Sequence, residues 1–135
     1  MEHDLLARAL SAMKNAENRG KATVELKPSS KLIQHTLAVL KKEKYIEDFK
    51  FIDDGRGGII VVNLKGVINN IGVVKPRYSV KIDEYEKFEE RYLPAKDFGR
   101  LILSTPKGVI THLDAKNQKT GGVLLAFVYW WYSLK

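Results

Sequence analysis

Ser104-Thr105-Pro106-Lys107-Gly108 gathers hydroxyls, a proline, a cation and a glycine into five consecutive residues. Hydroxyls donate and accept hydrogen bonds, an ammonium neutralises phosphate, and glycine lets another backbone come close. Those are the materials for gripping a polyanion and the edges of its bases. Leu101-Ile102-Leu103 lead in and Val109-Ile110 lead out, which predicts two strands with the hydroxyls and the lysine on an exposed turn between them. Gly121-Gly122 then opens a last hydrophobic strand, which would bring a second backbone surface near the first.

Other candidates lie earlier in the chain. Arg8, Ser11, Asn15 and Asn18 recur three or four residues apart, with Lys14 and Arg19 alongside. That stripe reads either as a solvated helix face or as a surface for phosphates. Ser29 and Ser30 sit where a serine caps the next helix, but a helix start flanked by Lys27 and Lys31 is also a phosphate site. Both readings hold if one serine caps while the other faces outward. Arg77 and Tyr78 form a candidate stacking or phosphate contact. Tyr129-Trp130-Trp131-Tyr132 would stack unpaired bases or, more in keeping with a strand end, pack inward and against a partner protein.

Catalysis and metal binding find little support. Ser104, His112 and Asp114 are a nucleophile, base and acid on paper only, since triads are defined by geometry, and Pro106 lies where an oxyanion-hole amide would be useful. His112 and Asp114 are read instead as the first turn of a helix. His3, His35 and His112 lack metal-ligand spacing. Asp53-Asp54-Gly55-Arg56-Gly57-Gly58 is a hairpin loop, without the lysine-hydroxyl pair of a phosphate-binding loop.

A net charge of +7 over 135 residues favours nucleic acid or an anionic surface as partner. Positive charge gathers at the end, where Lys107, Lys116, Lys119 and Lys135 face only Asp114. Asp83, Glu84, Glu86, Glu89 and Glu90 make an acidic stretch just before it. Absent cysteines exclude disulfides and thiolate zinc sites. No signal peptide and no apolar run of membrane-spanning length is evident, so a soluble, intracellular chain is expected.

The elements that must position these residues follow from periodicity. Leu6, Ala9, Leu10, Met13 and Ala16 mark a helix from Asp4 to Asn18, ended by Gly20. Ala22–Leu26 is a strand, and a helix to about Lys44 buries Leu32, Ile33, Leu37 and Leu40, with Val39 at its edge. Strands follow at Tyr45–Ile52 and Ile59–Leu64, and Lys65-Gly66 to Asn69-Asn70 reads as a joint. Ile71–Val80 is strand-like, with Pro76 confining Lys75–Tyr78 to an edge or bend. Asp83–Tyr92 is a short acidic helix, Thr111 with Asp114 caps another, and Val123–Trp131 is a long central strand. The expected class is α+β, as two small α/β domains. Residues 1–66 are α-β-α-β-β, and residues 67–135 are mostly β with short helices.

The order Asp4…Lys14-Asn15-Ala16, Pro28-Ser29-Ser30-Lys31, Ser104-Thr105-Pro106-Lys107-Gly108-Val109, Gly121-Gly122 resembles ribosomal protein eight of the small subunit. Lys75–Tyr78 and Tyr92-Leu93-Pro94-Ala95-Lys96-Asp97-Phe98-Gly99 are similar to its archaeal and eukaryotic-type form. The resemblance implies a primary rRNA-binding protein of the cytoplasmic ribosome that docks on the central domain of small-subunit rRNA and aids its assembly. It implies neighbouring ribosomal proteins as partners, and no enzymatic activity, cofactor, small-molecule substrate, membrane or self-association. Ser104, Thr105 and Lys107, with Pro106 and Gly108 between and after them, match the loop that reads an irregular RNA helix. Thr120, Gly121 and Gly122 match the segment beside it. Lys14, Asn15, Ser29, Ser30 and Lys31 match the first domain's backbone-contacting surface. Pro106 departs from the serine or threonine usual there, and Trp130–Lys135 extends past the family's usual end. The residues alone also admit a free-standing regulator that binds structured RNA, or a protein-interaction module using the aromatic tail.

Overall fold

The computed structural model describes residues 4–27, 29–95 and 98–130. They form two compact units, Met1–Ile68 and Asn69–Lys135 by chain range, each with its own buried core.

In the first unit, the Asp4 carboxylate accepts the Ala7 amide at 3.0 Å, satisfying a donor that a helix start leaves bare. Helix α1 (Leu5–Asn18) then buries Leu6, Ala9, Leu10, Met13 and Ala16 on one face. Strand β1 (Thr23–Leu26) leads to helix α2 (Lys31–Lys42), where Ser30 is the cap and accepts the Ile33 amide at 3.1 Å. Two expectations for α2 are corrected. Val39 is buried and Leu32 only half-buried. Thr36 is also buried, because its hydroxyl donates to the Leu32 carbonyl at 2.8 Å and so brings no bare polar group inward. Strands β2 (Ile46–Ile52) and β3 (Ile59–Leu64) complete an antiparallel sheet in the order β1-β3-β2. Leu26, Ile46, Ile60 and Val62 are its buried residues, with α1 against β1 and α2 against β2. The 53–58 loop is a hairpin as expected. Asp53 accepts the Gly55 amide, and Asp54 those of Arg56 and Gly58.

The expected joint at 65–70 is shorter than its composition suggests. Strand β4 runs Ile68–Val73, so Asn69 and Asn70 belong to it, and its buried positions are Ile68 and Ile71. Asparagine is a poor strand former, but side-chain partners override that preference. Here the Asn70 amide donates to the Tyr129 hydroxyl at 3.2 Å. The remaining elements are β5 (Ser79–Val80), α3 (Tyr85–Tyr92), β6 (Arg100–Thr105), β7 (Gly108–Thr111), α4 (His112–Asn117) and β8 (Gly122–Trp130). The sheet order is β4-β8-β6-β7, with β5 also paired to β8, so β8 is central. Leu101 and Leu103 of β6 and Leu124 of β8 pack with Val74, Val80, Tyr85, Phe88, Leu93 and Ala115 into one core.

Candidate nucleic-acid interface

The β6–β7 connection is tighter than expected. Thr105 pairs with Gly108 across the ladder, so only Pro106 and Lys107 form the turn. Ser104 and Thr105 are therefore strand residues, half-buried, while Pro106, Lys107 and Gly108 are exposed. Strand propensity explains the difference, since threonine is comfortable in a ladder whereas proline, at φ near −65°, suits a turn. The Thr105 hydroxyl is spent on the turn itself. It donates to the Gly108 carbonyl at 2.9 Å and accepts the Lys107 amide at 3.1 Å. Gly108 sits at φ +115°, a backbone region closed to side chains. Proline, hydroxyl and glycine together make a stiff tip that holds Lys107 outward.

Gly121 and Gly122 do lie beside this hairpin. Ser104 pairs with Val123 on its other side. A Cβ on Gly122 would fall 2.6 Å from the Ser104 carbonyl oxygen and 2.8 Å from Thr105 Cγ2. One on Gly121 would strike the Val80 carbonyl oxygen. The double glycine thus lets β8 enter between β5 and the end of β6. An open groove follows, lined by Ser79, Lys81, Ile82, Lys119, Thr120 and Gly121.

Sequence reasoning missed the residues that hold this arrangement in place. The Tyr85 hydroxyl donates to the Thr120 carbonyl at 2.7 Å, anchoring the approach to Gly121, and burial pushes its ionisation above the usual tyrosine range. Glu89, read as part of a short acidic helix, is 2% exposed. Its carboxylate accepts from Lys116 Nζ at 2.5 and 3.1 Å and lies 3.7 Å from His112 Nε2. His112 Nδ1 in turn accepts the Leu101 amide at 3.0 Å. A polar chain therefore runs from α3 through α4 to the start of β6, inside the core. A signal was present: Tyr85, Phe88, Glu89 and Tyr92 recur at i, i+3, i+4 and i+7, which places Glu89 on the inward stripe.

His112 opens α4, with Thr111 capping it through the Asp114 amide at 3.2 Å. Both imidazole nitrogens face Leu101 and Glu89, so Ser104, His112 and Asp114 are not assembled as a triad. Among the described residues, no group of three His, Asp or Glu is placed to hold a metal ion.

Arg77 is exposed in the bend before β5, as expected of a contact residue. Tyr78 is half-buried instead of standing free. Its ring packs 5.4 Å from Phe88 with the Arg91 guanidinium over it, because its edge fills the rim of the core. Tyr129 and Trp130 likewise pack within the unit, Tyr129 near Phe127 and Phe98, Trp130 near Phe98 and beneath Arg100. Trp131 and Tyr132 lie outside the described residues.

In the first unit, Arg8, Ser11, Lys14, Asn15 and Asn18 are all exposed on α1. A groove between α1 and β1 is lined by Arg8, Ser11, Asn15, Glu25 and Lys27. Lys31 is exposed at the start of α2. Neither serine before it faces outward unengaged. Ser30 caps, and the Ser29 hydroxyl accepts from Gln34 Nε2 at 3.0 Å while its amide donates to the Gly57 and Gly58 carbonyls at 3.1 Å each. Pro28 lies outside the described residues.

Residues 4–129 match the family model described as ribosomal protein S8. The chain belongs to the ribosomal protein S8 family. It is 52% identical over 126 residues to the small ribosomal subunit protein uS8 of Caldivirga maquilingensis, covering 93% of this chain and 97% of that one. The uS8 protein of Archaeoglobus fulgidus is 50% identical over 129 residues, covering 96% of this chain and all of the relative. The uS8 protein of Methanococcoides burtonii is 52% identical over 126 residues, with the same 93% and 97% coverage. The S8 match spans both units and includes each candidate contact residue described above. Trp130 and the residues after it lie beyond the matched range.

Proposed function

We propose that this chain is a structural constituent of the small ribosomal subunit, a primary rRNA-binding protein that docks on the central domain of the rRNA and aids its assembly. It works in the cytoplasmic ribosome and catalyses no reaction. The observation that carries the reading is the stiff Pro106-Lys107-Gly108 tip, set beside Gly121-Gly122 in a member of the S8 family.

Base-paired RNA hides its major groove, so selectivity must come from the wide minor groove, 2′-hydroxyls or displaced bases. A rigid ledge of short side chains suits that task because little conformational entropy is lost when it binds. Ser104 and Lys107 meet the RNA directly in this reading, while Thr105 fixes the turn. Thr120, Gly121 and Gly122 form the adjoining ledge, and Arg77 lies beyond it with Tyr78 behind. Pro106 replaces one hydroxyl contact with a packing surface for a sugar or base.

The first unit supplies phosphate neutralisation. Lys14, Lys27 and Lys31 offer cations and Asn15 a neutral donor, whereas Ser29 and Ser30 hold the α2 start that presents Lys31. Such contacts release counterions, so affinity falls as salt rises.

The test compares a central-domain rRNA fragment with a plain duplex. Ser104→Ala is expected to weaken the fragment more than the duplex, and equal losses would remove Ser104 from the specificity contacts. Lys31→Ala is expected to weaken both and make the salt slope shallower by roughly one unit. An unchanged slope would remove Lys31 from the phosphate contacts.

A further inference from the structure

Helices α1, α2 and α4 stop in the same way. The residue after each cap swings into left-handed backbone, at φ +70° for Gly20, +66° for Lys44 and +55° for Lys119. Its amide and the next one return to carbonyls of the last turn, at 3.1 and 2.9 Å after α1, 3.0 and 2.9 Å after α2, and 3.1 and 3.0 Å after α4. Glycine takes that state freely, whereas a side chain takes it at a cost. For lysine part of the cost is offset, because its charge suits a helix C-terminus. That offset serves α2 and α4 alike, so what separates the two lysines is their surroundings.

Lys44 ends a helix that already carries Lys41 and Lys42 in its last turn, at the opposite end from Lys31. Lys119 instead lines the groove with Ser79, Lys81, Ile82, Thr120 and Gly121. It is exposed, and among the described residues no carboxylate pairs with its ammonium. The segment that carries it is fixed on both sides. Two backbone bonds tie it to α4, the Tyr85 hydroxyl holds the Thr120 carbonyl at 2.7 Å, and Gly121 leaves no room for a Cβ beside Val80. The groove is not positive as a whole. Lys81 and Lys119 are matched by Asp83 and by the neighbouring Glu84, which accepts the Lys81 amide at 2.9 Å. What it offers is one cation in a set position.

Lys119 is three residues from Gly122, which abuts Ser104 and Thr105 at the foot of the Pro106-Lys107-Gly108 tip. Three residues span at most about 11 Å. An RNA helix seated on the tip is wide enough to reach that far. We infer that Lys119 is a phosphate contact of the second unit, one that sets where along its backbone the RNA rests against the β6–β7 hairpin. This rests on the RNA-binding reading and adds to it a cation outside the candidate residues named so far.

The experiment titrates the full chain with the central-domain rRNA fragment and with the plain duplex over a range of salt. Wild type is compared with Lys119→Gly, Lys119→Asn, Lys119→Arg and Lys44→Gly. Glycine and asparagine both accept the left-handed backbone without the charge. Either one at position 119 is expected to weaken the fragment several-fold and make the salt slope shallower by roughly one unit. Lys119→Arg should keep the wild-type slope. Lys44→Gly makes the same backbone and net-charge change outside the groove and should leave the slope unchanged. An unchanged slope for both uncharged variants at position 119 overturns the inference. So does an equal loss in Lys44→Gly, which would assign the effect to net charge. Normal fragment binding by Lys119→Gly with poor incorporation into small subunits also overturns it, in favour of a carboxylate on a neighbouring protein. A wild type that does not prefer the fragment to the duplex defeats the RNA reading itself. A wild-type preference with an unchanged slope at position 119 defeats this inference alone.

Discussion

Gly122→Ala isolates the close approach on which the proposed recognition ledge depends. The new Cβ would sit 2.6 Å from the Ser104 carbonyl oxygen and 2.8 Å from Thr105 Cγ2. The first neighbour is backbone within the β6–β8 pairing, which cannot rotate aside, so the strands must separate by several tenths of an ångström. Overpacking of this kind costs about 1–3 kcal/mol. Against it stands the gain from replacing a strand glycine, roughly 0.5–1 kcal/mol. Gly122 is not at positive φ, so no backbone strain is added and the clash decides the sign. The net is a loss of up to about 2.5 kcal/mol, centred a little above 1 kcal/mol, and in a unit of this size each kcal/mol lowers Tm by roughly 4–8 °C. RNA affinity should fall as well, because the displaced atoms are those that seat Ser104. Calorimetry and a filter-binding titration with the rRNA fragment would measure both. An alanine variant with wild-type Tm and wild-type affinity would refute the claim that the glycine is there for closeness.

Lys116→Ala leaves the Glu89 carboxylate buried with His112 as its nearest remaining ionisable neighbour. Breaking a buried pair costs about 3–5 kcal/mol, and because Lys116 is a third exposed the expected loss is nearer 2 kcal/mol, read by urea denaturation. Adding Glu89→Gln should recover part of that loss, and strictly additive effects would mean the two are not coupled. Glu17 is the pH probe. Burial raises its pKa, only partly offset by the Ile68 amide. The stability it contributes is therefore full below about pH 4.3, the ordinary glutamate value, and is lost as pH rises through the raised folded value. Glu17→Gln should remove that component, so the variant gains on the wild type between acid and neutral pH in urea titrations. Parallel pH profiles for the two proteins would rule the effect out.

Helices and strands were legible where apolar spacing was regular. The α1 stripe follows from the period of its buried residues, the β2–β3 hairpin from the glycine-rich loop between two strand-like runs, and the central β8 from its long apolar run. Errors arose where composition and partners disagreed. Asn69 and Asn70 look like a joint by residue type, yet β4 includes them, with Tyr129 fifty-nine positions away from Asn70 as its partner. Ser104 and Thr105 look like turn residues, yet a two-residue turn suffices because the threonine hydroxyl closes it. Ser29 looked free to face a phosphate, and only the fold reveals Gln34 as its partner. The candidate surface was legible as a set of residue types, but which hydroxyls remain for a ligand depends on contacts that no local pattern encodes.

The same distinction explains why an acid is kept inside the second unit, for which RNA contact is proposed. Exposed lysines attract phosphate from any direction and do not define a register. Register in the second unit must come from the β6–β7 hairpin, whose base rests on the Leu101 amide. That amide donates to His112, and the acceptor is oriented by a helix that Lys116 ties to Glu89. An apolar residue of similar volume in place of His112 would pack the core but would leave the Leu101 amide without that acceptor, at a cost of about 1–3 kcal/mol. The buried chain from Glu89 to Leu101 thus aligns the strand that carries Ser104, while the surface lysines supply attraction without direction. Alignment and attraction are consequently separable, and changes in the Glu89 chain should alter which RNA is preferred more than how steeply binding depends on salt.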